Sequence, residues 1–346
     1  MEQPRGINVE SVSAWMSANV PGAVAPFTFE LIAGGRSNLT YRVTGADGRA
    51  FALRRPPTSH VLPTAHDMTR EHRIISALHP VGIPVPKPYA LCVDEGVNER
   101  PFYVMEFIEG HILRDRMAAE AEFDEATRGQ IGLQLADTLA QLHAVDVDAV
   151  GLGELGRKEG YIERQLKRWM GQFDQMQVEG MERSATVAEV GQRLAASVPT
   201  QQGATVVHGD YRLDNTVLND AGEVTAILDW EICTLGDPMA DLGLLLVYWA
   251  EPTDGDEVAL LGVAPTQAPG YTTRAQILER YASRSSLDLS HISYYQAFGY
   301  WKLACILQGV YARYVAGAAA GDNNSVDGFP KHIELLAQAA AKHLDA

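Results

Sequence analysis

The alternation of apolar and polar residues changes character about a third of the way along the chain. Before that point, short apolar segments separated by turn-rich pieces predict five β-strands, at 27–33, 39–43, 50–53, 91–93 and 102–107. Close spacing and glycine-containing turns favour an antiparallel meander for the first three. We expect one helix within this sheet region, at 65–78, and a short helix before it at 8–19.

From residue 124 onward, apolar residues recur at helical spacing. Ile131, Leu135, Leu139 and Leu142 would share one face of a helix at 124–143. Further helical regions are expected at 161–196, 273–285, 290–317 and 331–344. The sequence therefore predicts an α+β protein with a β-rich lobe over 1–107 and a helical lobe over 108–346, and ligands favour the cleft between such lobes.

A short β-rich segment, 205–230, interrupts the helices. Its turn signal at 219–222 predicts a hairpin, and the residues that flank the two strands of a hairpin meet at one end. Asn215 is therefore expected beside Asp229, and Asp210, five residues before Asn215, can reach the same place. Each residue alone is explained as a turn former. Together, two carboxylates and a carboxamide suit a hard cation such as Mg²⁺ and a base.

The joint pattern His208-Gly209-Asp210, Asn215 and Asp229 resembles the catalytic and metal-binding loops of the aminoglycoside phosphotransferase and choline kinase superfamily. That superfamily shares the protein-kinase fold, so the resemblance implies two lobes, a five-stranded antiparallel sheet, and the use of ATP and Mg²⁺. It implies that Asp210 is the base that accepts the proton of a substrate hydroxyl, and that Asn215 and Asp229 bind magnesium.

Two departures separate this chain from protein kinases. His-Gly-Asp replaces His-Arg-Asp at 208–210, and Asp-Trp-Glu replaces Asp-Phe-Gly at 229–231. Both are usual in the small-molecule branch, so a protein substrate is not expected. Arg212 lies where protein kinases carry a lysine that neutralises the transferred phosphoryl group, although a solvent-facing loop residue is an equal alternative. The resemblance also implies that Asp241 supports the catalytic loop.

The β-rich lobe offers groups that would hold a nucleotide. Gly34, Gly35, Ser37 and Asn38 lie between two strands, where backbone N–H groups can approach a phosphate. A simple Gly-Gly hairpin would look similar. The segment 102–110 is expected to lead into the hinge between the lobes, where backbone groups near Glu106 and Ile108 would hydrogen-bond adenine.

A cation on the third strand is expected to pair with a carboxylate on the following helix. Kinases place a lysine there, and Arg54 stands in that register, seventeen residues before Glu71. Glu71 lies on an apolar helix face, where a carboxylate is costly without a partner; a position at the rim of the helix is the alternative. If Arg55 rather than Arg54 faces the cleft, this alignment of the third strand is wrong by one residue. Arginine is also not interchangeable with lysine at a phosphate.

Four further segments bear on which small molecule accepts the phosphoryl group. Residues 51–57, 65–71, 294–304 and 306–313 resemble most the kinase branch that is fused to, or encoded beside, acyl-CoA dehydrogenases. That branch implies a hydroxyacyl-CoA or hydroxy acid as the small-molecule hydroxyl acceptor. The aromatic helix near 294–314 would line the acceptor pocket or belong to the core. An aminoglycoside or amino alcohol is the alternative acceptor. A nucleotide-binding scaffold without turnover is an alternative function of a different class. A metal-dependent hydrolase is a third alternative, but it would need more His and Asp ligands than the segment 205–230 offers.

Composition narrows the partners. The net charge of −16 argues against nucleic acid and against docking on an anionic membrane, although a local basic pocket is compatible with it. Three distant cysteines follow no metal or redox spacing, which is typical of reduced, buried thiols. The polar N-terminus does not resemble a signal peptide. We expect a cytoplasmic monomer or homodimer without a membrane-spanning helix.

Overall fold

The structure, a computed structural model, describes residues 4–33, 38–58, 67–176, 178, 181, 183–254, 264–316 and 328–346. A sheet with two helices occupies the first third of this chain, and helices dominate the rest. The arrangement confirms the expected bilobal α+β fold.

Five strands form one antiparallel sheet: β1 (Thr28–Ala33), β2 (Leu39–Thr44), β3 (Ala50–Arg55), β4 (Pro88–Cys92) and β5 (Phe102–Glu106). Their order is β1-β2-β3-β5-β4, with every neighbouring pair antiparallel. The sequence analysis placed the fourth strand at 91–93, which was too late. Pairing with β5 starts at Pro88, across an irregularity between Pro88 and Ala90 that obscures the alternation.

Helices α1 (Val9–Asn19) and α2 (Met68–Leu78) accompany the sheet. The carboxylate of Asp67 caps α2 by accepting hydrogen bonds from the backbone N–H groups of Thr69 and Arg70. The buried face of α2 packs on β4 and β5 and includes Glu71 among apolar residues. This packing brings the Glu71 carboxylate to Arg54 near the end of β3 and to Tyr103 near the start of β5.

The second lobe contains eight described α-helices: α3 (Arg116–Glu122), α4 (Glu125–His143), α5 (Tyr161–Gln175), α6 (Ala185–Ala196), α7 (Met239–Tyr248), α8 (Arg274–Ala282), α9 (Ile292–Val315) and α10 (Phe329–Leu344). The helical region expected at 161–196 consists of two helices, because Ser184 caps a new one by accepting from the N–H of Val187. The short α3 was not expected, since seven residues carry too little periodicity.

The β-rich segment in the second lobe forms two small ribbons. Strands β7 (Thr216–Leu218) and β8 (Val224–Ile227) make the expected hairpin. Strand β6 (Thr205–Val207) pairs with β9 (Thr234–Gly236). The sequence analysis missed β9, because three residues are too few to show an alternation of apolar and polar positions. The loop 208–215 runs from β6 to β7 and the loop 228–233 runs from β8 to β9, so the two loops lie side by side.

The aromatic residues of α9 belong to the core. They pack against α6, α7 and α10, and the buried ones are Tyr294, Tyr295, Phe298, Tyr300 and Trp301. Their polar atoms are paired: the Tyr295 hydroxyl donates to Asp237 at 2.6 Å and the Trp301 indole donates to the Val187 carbonyl at 2.8 Å. Of the two alternatives for this stripe, the structure favours core packing.

Cys92, Cys233 and Cys305 are free thiols, and all three are buried. In the part of the chain that the structure describes, no helix combines the length and apolar character that crossing a bilayer requires.

Candidate active site

The loop that contains Asp210 has a backbone shape set by its neighbours. Gly209 adopts φ +85°, a conformation that favours glycine, and a Cβ there would lie 3.1 Å from the Ile232 side chain. His208 contacts the Leu228 carbonyl through Nε2 at 2.8 Å, and its Nδ1 accepts from the Asp210 N–H at 3.2 Å. These contacts join the loop to the strand end that precedes Asp229.

Asp241, at the start of α7, holds the same loop from below. Its buried carboxylate accepts from the N–H groups of His208 at 2.6 Å and Gly209 at 2.8 Å. The imidazole of His143 lies 3.6 Å away, and its other nitrogen meets the Tyr281 hydroxyl at 2.7 Å. Burial alone would raise the pKa of Asp241, but His143, His208 and the loop N–H groups outweigh it and lower that pKa. Asp241 therefore holds the backbone of the loop in place.

Asp210 and Asn215 are in direct contact. The Asn215 amide nitrogen donates to the carboxylate of Asp210 at 2.9 Å and to its backbone carbonyl at 2.9 Å. Asn215 also joins the hairpin, because its carbonyl accepts from the Leu228 N–H at 2.8 Å. The hairpin thus brings Asn215 next to the residue that precedes Asp229.

Arg212 is oriented by carboxylates and an aromatic ring. Its Nη2 donates to Asp214 at 2.6 Å, its Nε lies 3.7 Å from the Asp210 carboxylate, and its guanidinium lies 4.7 Å from the centre of the Tyr248 ring. Burial alone would lower the pKa of Arg212, but Asp210, Tyr248 and Asp214 outweigh it and raise that pKa. A fixed guanidinium therefore lies beside Asp210.

Arg54 connects the two lobes. Its Nε donates to Glu71 at 2.8 Å and its Nη2 to Asp229 at 2.6 Å, and Glu231 lies 3.8 Å from the same nitrogen. Burial alone would lower the pKa of Arg54, but Glu71 and the other carboxylates raise it. Arg55 is buried on the other side of the sheet, where it donates to the Pro56 carbonyl. Of the two arginines, Arg54 is the one that faces the cleft.

Asn38 contacts carboxylates. Its amide nitrogen donates to Glu71 at 2.8 Å and to Glu231 at 3.0 Å, while its own carbonyl oxygen is buried without a hydrogen bond. Its side chain therefore joins α2 to the loop after Asp229. Gly34, Gly35 and Ser37, expected with it at the phosphates, lie outside the described residues.

The sequence analysis missed two residues of the hydrogen-bond network that Arg54, Asn38 and Glu71 form. The Tyr103 hydroxyl donates to Glu71 at 3.1 Å, and Glu231 accepts from Asn38. Burial, with Glu71 close by, raises the pKa of Tyr103 well above its usual value, so the phenol stays protonated and remains a donor. Glu231 carried a signal as the third residue of Asp229-Trp230-Glu231, whereas Tyr103 looked like an ordinary strand residue.

A cavity of about 390 Å³ lies between the sheet and the hairpin. Both lobes contribute apolar and polar residues to its lining, which includes Met105, Phe107, Ile108, Leu228, Arg54 and Asn215. Glu106 is not among the lining residues, and its N–H donates to the Lys87 carbonyl at 2.8 Å. Of the two hinge residues expected at adenine, Ile108 therefore lies at the cavity, and Glu106 has only its backbone carbonyl to offer.

Asn215 and Asp229 both line this cavity. Asp229 is held at φ +63°, and Arg54 contacts its Oδ1. One amide oxygen and one carboxylate are hard oxygen donors of the kind that magnesium prefers when substrate phosphates complete its coordination. Within the described residues, no cluster of three or more His, Cys, Asp or Glu side chains is suited to a metal.

The chain is similar in sequence to known proteins. A profile of the phosphotransferase enzyme family matches residues 28–277. The chain is 34% identical over 311 residues to acyl-CoA dehydrogenase family member 10 of Mus musculus, covering 88% of this chain and 28% of that protein. It is 33% identical over 310 residues to family member 11 of Gallus gallus, covering 88% of this chain and 39% of that protein. The chain thus spans well under half the length of these relatives.

Solved structures share the fold. A crystal structure from Ralstonia eutropha, described as a "putative aminoglycoside phosphotransferase", superimposes with a TM-score of 0.82 at 30% identity and covers 98% of both chains. Amicoumacin kinase, solved with AMP-PNP and Ca²⁺, superimposes with a TM-score of 0.60 at 18% identity over 96% of this chain and 93% of its own. With a family match over more than half of its length and relatives above 30% identity, this chain belongs to the phosphotransferase enzyme family.

Proposed function

We propose that this chain is an ATP- and magnesium-dependent kinase that phosphorylates a hydroxyl of a small molecule. The observation that carries the proposal is that Asn215 and Asp229 line one cavity, while Asn215 also holds the carboxylate of Asp210 and Arg54 reaches Asp229 from the opposite lobe. A phosphoryl-transfer site needs a base, oxygen ligands for a metal and a fixed cation, and these residues supply each of them.

Asp210 is the proposed base. It accepts the proton of the acceptor hydroxyl while the hydroxyl oxygen bonds to the γ-phosphorus and the bond from that phosphorus to the ADP oxygen breaks. The hydrogen bond from Asn215 orients the carboxylate, and Asp241 fixes the backbone before it. Positioned general bases contribute roughly 10²- to 10⁴-fold to a rate.

The nucleotide is proposed to lie against residues 1–107, with adenine at the hinge and phosphates toward Arg54. The N–H of Ile108 and the carbonyl of Glu106 are the proposed partners of adenine, and the backbone of Gly34, Gly35 and Ser37 that of the phosphates. Asn215 and Asp229 would hold magnesium, which when bound neutralises charge on the phosphate oxygens. Arg212 is the proposed partner of the phosphoryl group during transfer, a role supported by its position beside Asp210.

A hydroxyacyl-CoA or hydroxy acid is the proposed acceptor. A fixed cation lies beside the base, since the Nε of Arg212 is 3.7 Å from the Asp210 carboxylate. A cationic aminoglycoside or amino alcohol would meet a like charge there, whereas an anionic acceptor would meet an opposite charge. The relatives named acyl-CoA dehydrogenases support the same acceptor class.

ADP release in the presence of magnesium tests the function. Hydroxybutyryl-CoA, kanamycin and choline would each be supplied with ATP to the wild-type chain and to Asp210→Asn, with Asp220→Asn, an exposed turn residue, as the matched control. We expect turnover with hydroxybutyryl-CoA that falls at least roughly 100-fold in Asp210→Asn and persists in the control. Removing magnesium with EDTA should abolish it. ATP binding without turnover on any acceptor would support a nucleotide-binding scaffold instead.

A further inference from the structure

Lys302 is a charged residue on α9, and its charge takes no part in the apolar packing of that helix. It lies one residue after Trp301 on a helix whose neighbouring positions are filled by aromatic core residues. Its ammonium is directed at the backbone of the catalytic loop, where it donates to the Gly209 carbonyl at 3.0 Å. A lysine that is partly withdrawn from water in this way costs free energy unless its ammonium is well partnered.

The peptide groups around Gly209 are held by two opposite charges. The Gly209 N–H donates to the Asp241 carboxylate at 2.8 Å, and the Gly209 carbonyl accepts from Lys302. The carbonyl of Gly209 belongs to the same rigid peptide plane as the N–H of Asp210. Lys302 therefore acts on one of the two peptide planes that set the direction in which the Asp210 side chain leaves the backbone, and Asn215 holds the other.

The two helices that supply these charges are closely packed at Gly243, and only a small cavity lies between them beside Lys302 and Asp241. A Cβ at Gly243 of α7 would lie 2.7 Å from Tyr295 of α9, and the Tyr295 hydroxyl donates to Asp237 next to the start of α7. Such close packing limits how far Lys302 and Asp241 can move relative to each other. The pair behaves as one rigid clamp on the loop.

The charges that face Lys302 come from three elements. Asp210 of the loop and Asp241 of α7 favour its charged form, while Arg168 of α5 disfavours it. Burial is the largest influence and lowers the pKa of Lys302. Since two carboxylates oppose one cation and the ammonium donates to a carbonyl, the charged form has the partners it needs.

We propose that Lys302 is a positioning residue for the transferase reaction, which fixes the Gly209–Asp210 peptide and so the orientation of the catalytic base. The proposal rests on the function proposed above. Removing the ammonium would free the peptide and misplace the Asp210 carboxylate, and displacements of about 1 Å at a reacting group cost on the order of 100-fold in rate. ATP binding would not change, because Lys302 lies outside the nucleotide cavity.

The test compares Lys302→Met with the wild type and with Arg313→Gln, an exposed cation further along the same helix. Two rates are measured with ATP and magnesium: ADP release with hydroxybutyryl-CoA, and the slow ADP release with water as the acceptor. We expect both kcat values to fall by the same factor, roughly 10- to 100-fold, with both KM values within about twofold of the wild type. Arg313→Gln should match the wild type in all of them.

Chemical rescue separates positioning from loss of fold. Treating Lys302→Cys with bromoethylamine rebuilds an ammonium of nearly the same length, while the three native thiols are buried. Recovery of at least half of the wild-type kcat is expected. A selective rise in KM for hydroxybutyryl-CoA, with unchanged water-dependent release, would overturn the proposal because Lys302 would then bind the acceptor. Unchanged rates in Lys302→Met, or no recovery after aminoethylation, would also overturn it. No turnover by the wild type would refute the kinase function itself.

Discussion

Arg54 on β3 and Asp229 in the loop after β8 form a direct ion pair of 2.6 Å that joins the two lobes at the mouth of the cavity. The same guanidinium contacts Glu71 of α2 at 2.8 Å through a different nitrogen. A lysine has one nitrogen at its tip, whereas the arginine fork reaches two carboxylates at once. Arginine at this position therefore couples α2 to the proposed magnesium ligand.

Replacing Arg54 should weaken both stability and nucleotide use. Arg54→Met leaves the buried Glu71 carboxylate without its cation, and breaking a buried pair costs about 3 kcal/mol. We expect a lower free energy of unfolding in urea and a KM for ATP at least roughly tenfold higher. Arg54→Lys should lie between Arg54→Met and the wild type in both measurements.

The double variant Arg54→Met/Glu71→Gln provides the control for this pair. Because no buried charge is left unpaired, it should be more stable than Arg54→Met alone, while the KM for ATP stays high. If the double variant loses stability additively, the contact between Arg54 and Glu71 contributes little.

Asn38 should tolerate alanine better than aspartate. Its amide donates to Glu71 and Glu231, so Asn38→Ala loses two hydrogen bonds, while Asn38→Asp adds a third carboxylate to the same place. We expect a loss in the free energy of unfolding of about 1–2 kcal/mol for alanine and a clearly larger loss for aspartate. Chemical denaturation at neutral pH measures both.

Gln130→Glu, an exposed change from an amide to a carboxylate within α4, is the matched control for Asn38 and should change stability little. Equal losses in Asn38→Ala and Asn38→Asp would show that the two carboxylates are not both ionised beside Asn38.

Asp241 should make stability depend on pH in the acid range. The folded state lowers the pKa of this carboxyl below its usual value of 3.8. The stabilisation it provides is therefore complete above that pH and is lost as the pH falls through the lowered value. Asp241→Asn can accept only one of the two loop N–H groups, so we expect it to be about 2 kcal/mol less stable at pH 7.

The difference between the wild type and Asp241→Asn should narrow as the pH falls below about 4. Denaturant unfolding from pH 7 to pH 2 measures it, with Glu95→Gln, an exposed carboxyl in a turn, as the control. A difference that stays constant over this range would contradict the proposed origin of the stabilisation.

Local geometry explains which site residues could be predicted from the sequence. Asn215 and Asp229 flank a hairpin whose turn is visible in the residues, so strand pairing alone brings them to one end. Strand alternation predicts that Arg54 and Arg55 lie on opposite faces of the sheet, but only the structure shows that Arg54 faces the cleft and that Arg55 is buried on the other side. Patterns within one helix or one pair of adjacent strands are specified by backbone periodicity.

Contacts between distant segments were not visible in that way. Asn38 meets Glu231 across 193 positions, Lys302 meets Gly209 across 93, and His143 meets Tyr281 across 138. None of these pairs shares a strand register or a helix face, so no periodicity relates them. The sequence identified Asn38 as polar in a glycine-rich loop, but whether its amide faces a phosphate or a carboxylate depends on where α2 and the loop after Asp229 are packed.

The sequence by itself determined the α+β class, the antiparallel sheet, the hairpin with Asn215 and Asp229, and the resemblance that implies phosphoryl transfer. Each of these depends on residue type and short-range spacing. Only the tertiary structure decided that Arg54 reaches Glu71 and Asp229 together, and that Lys302 and Asp241 clamp the loop before the base. Those contacts exist because separate helices bury their apolar faces against one another, and that packing has no signature in local spacing.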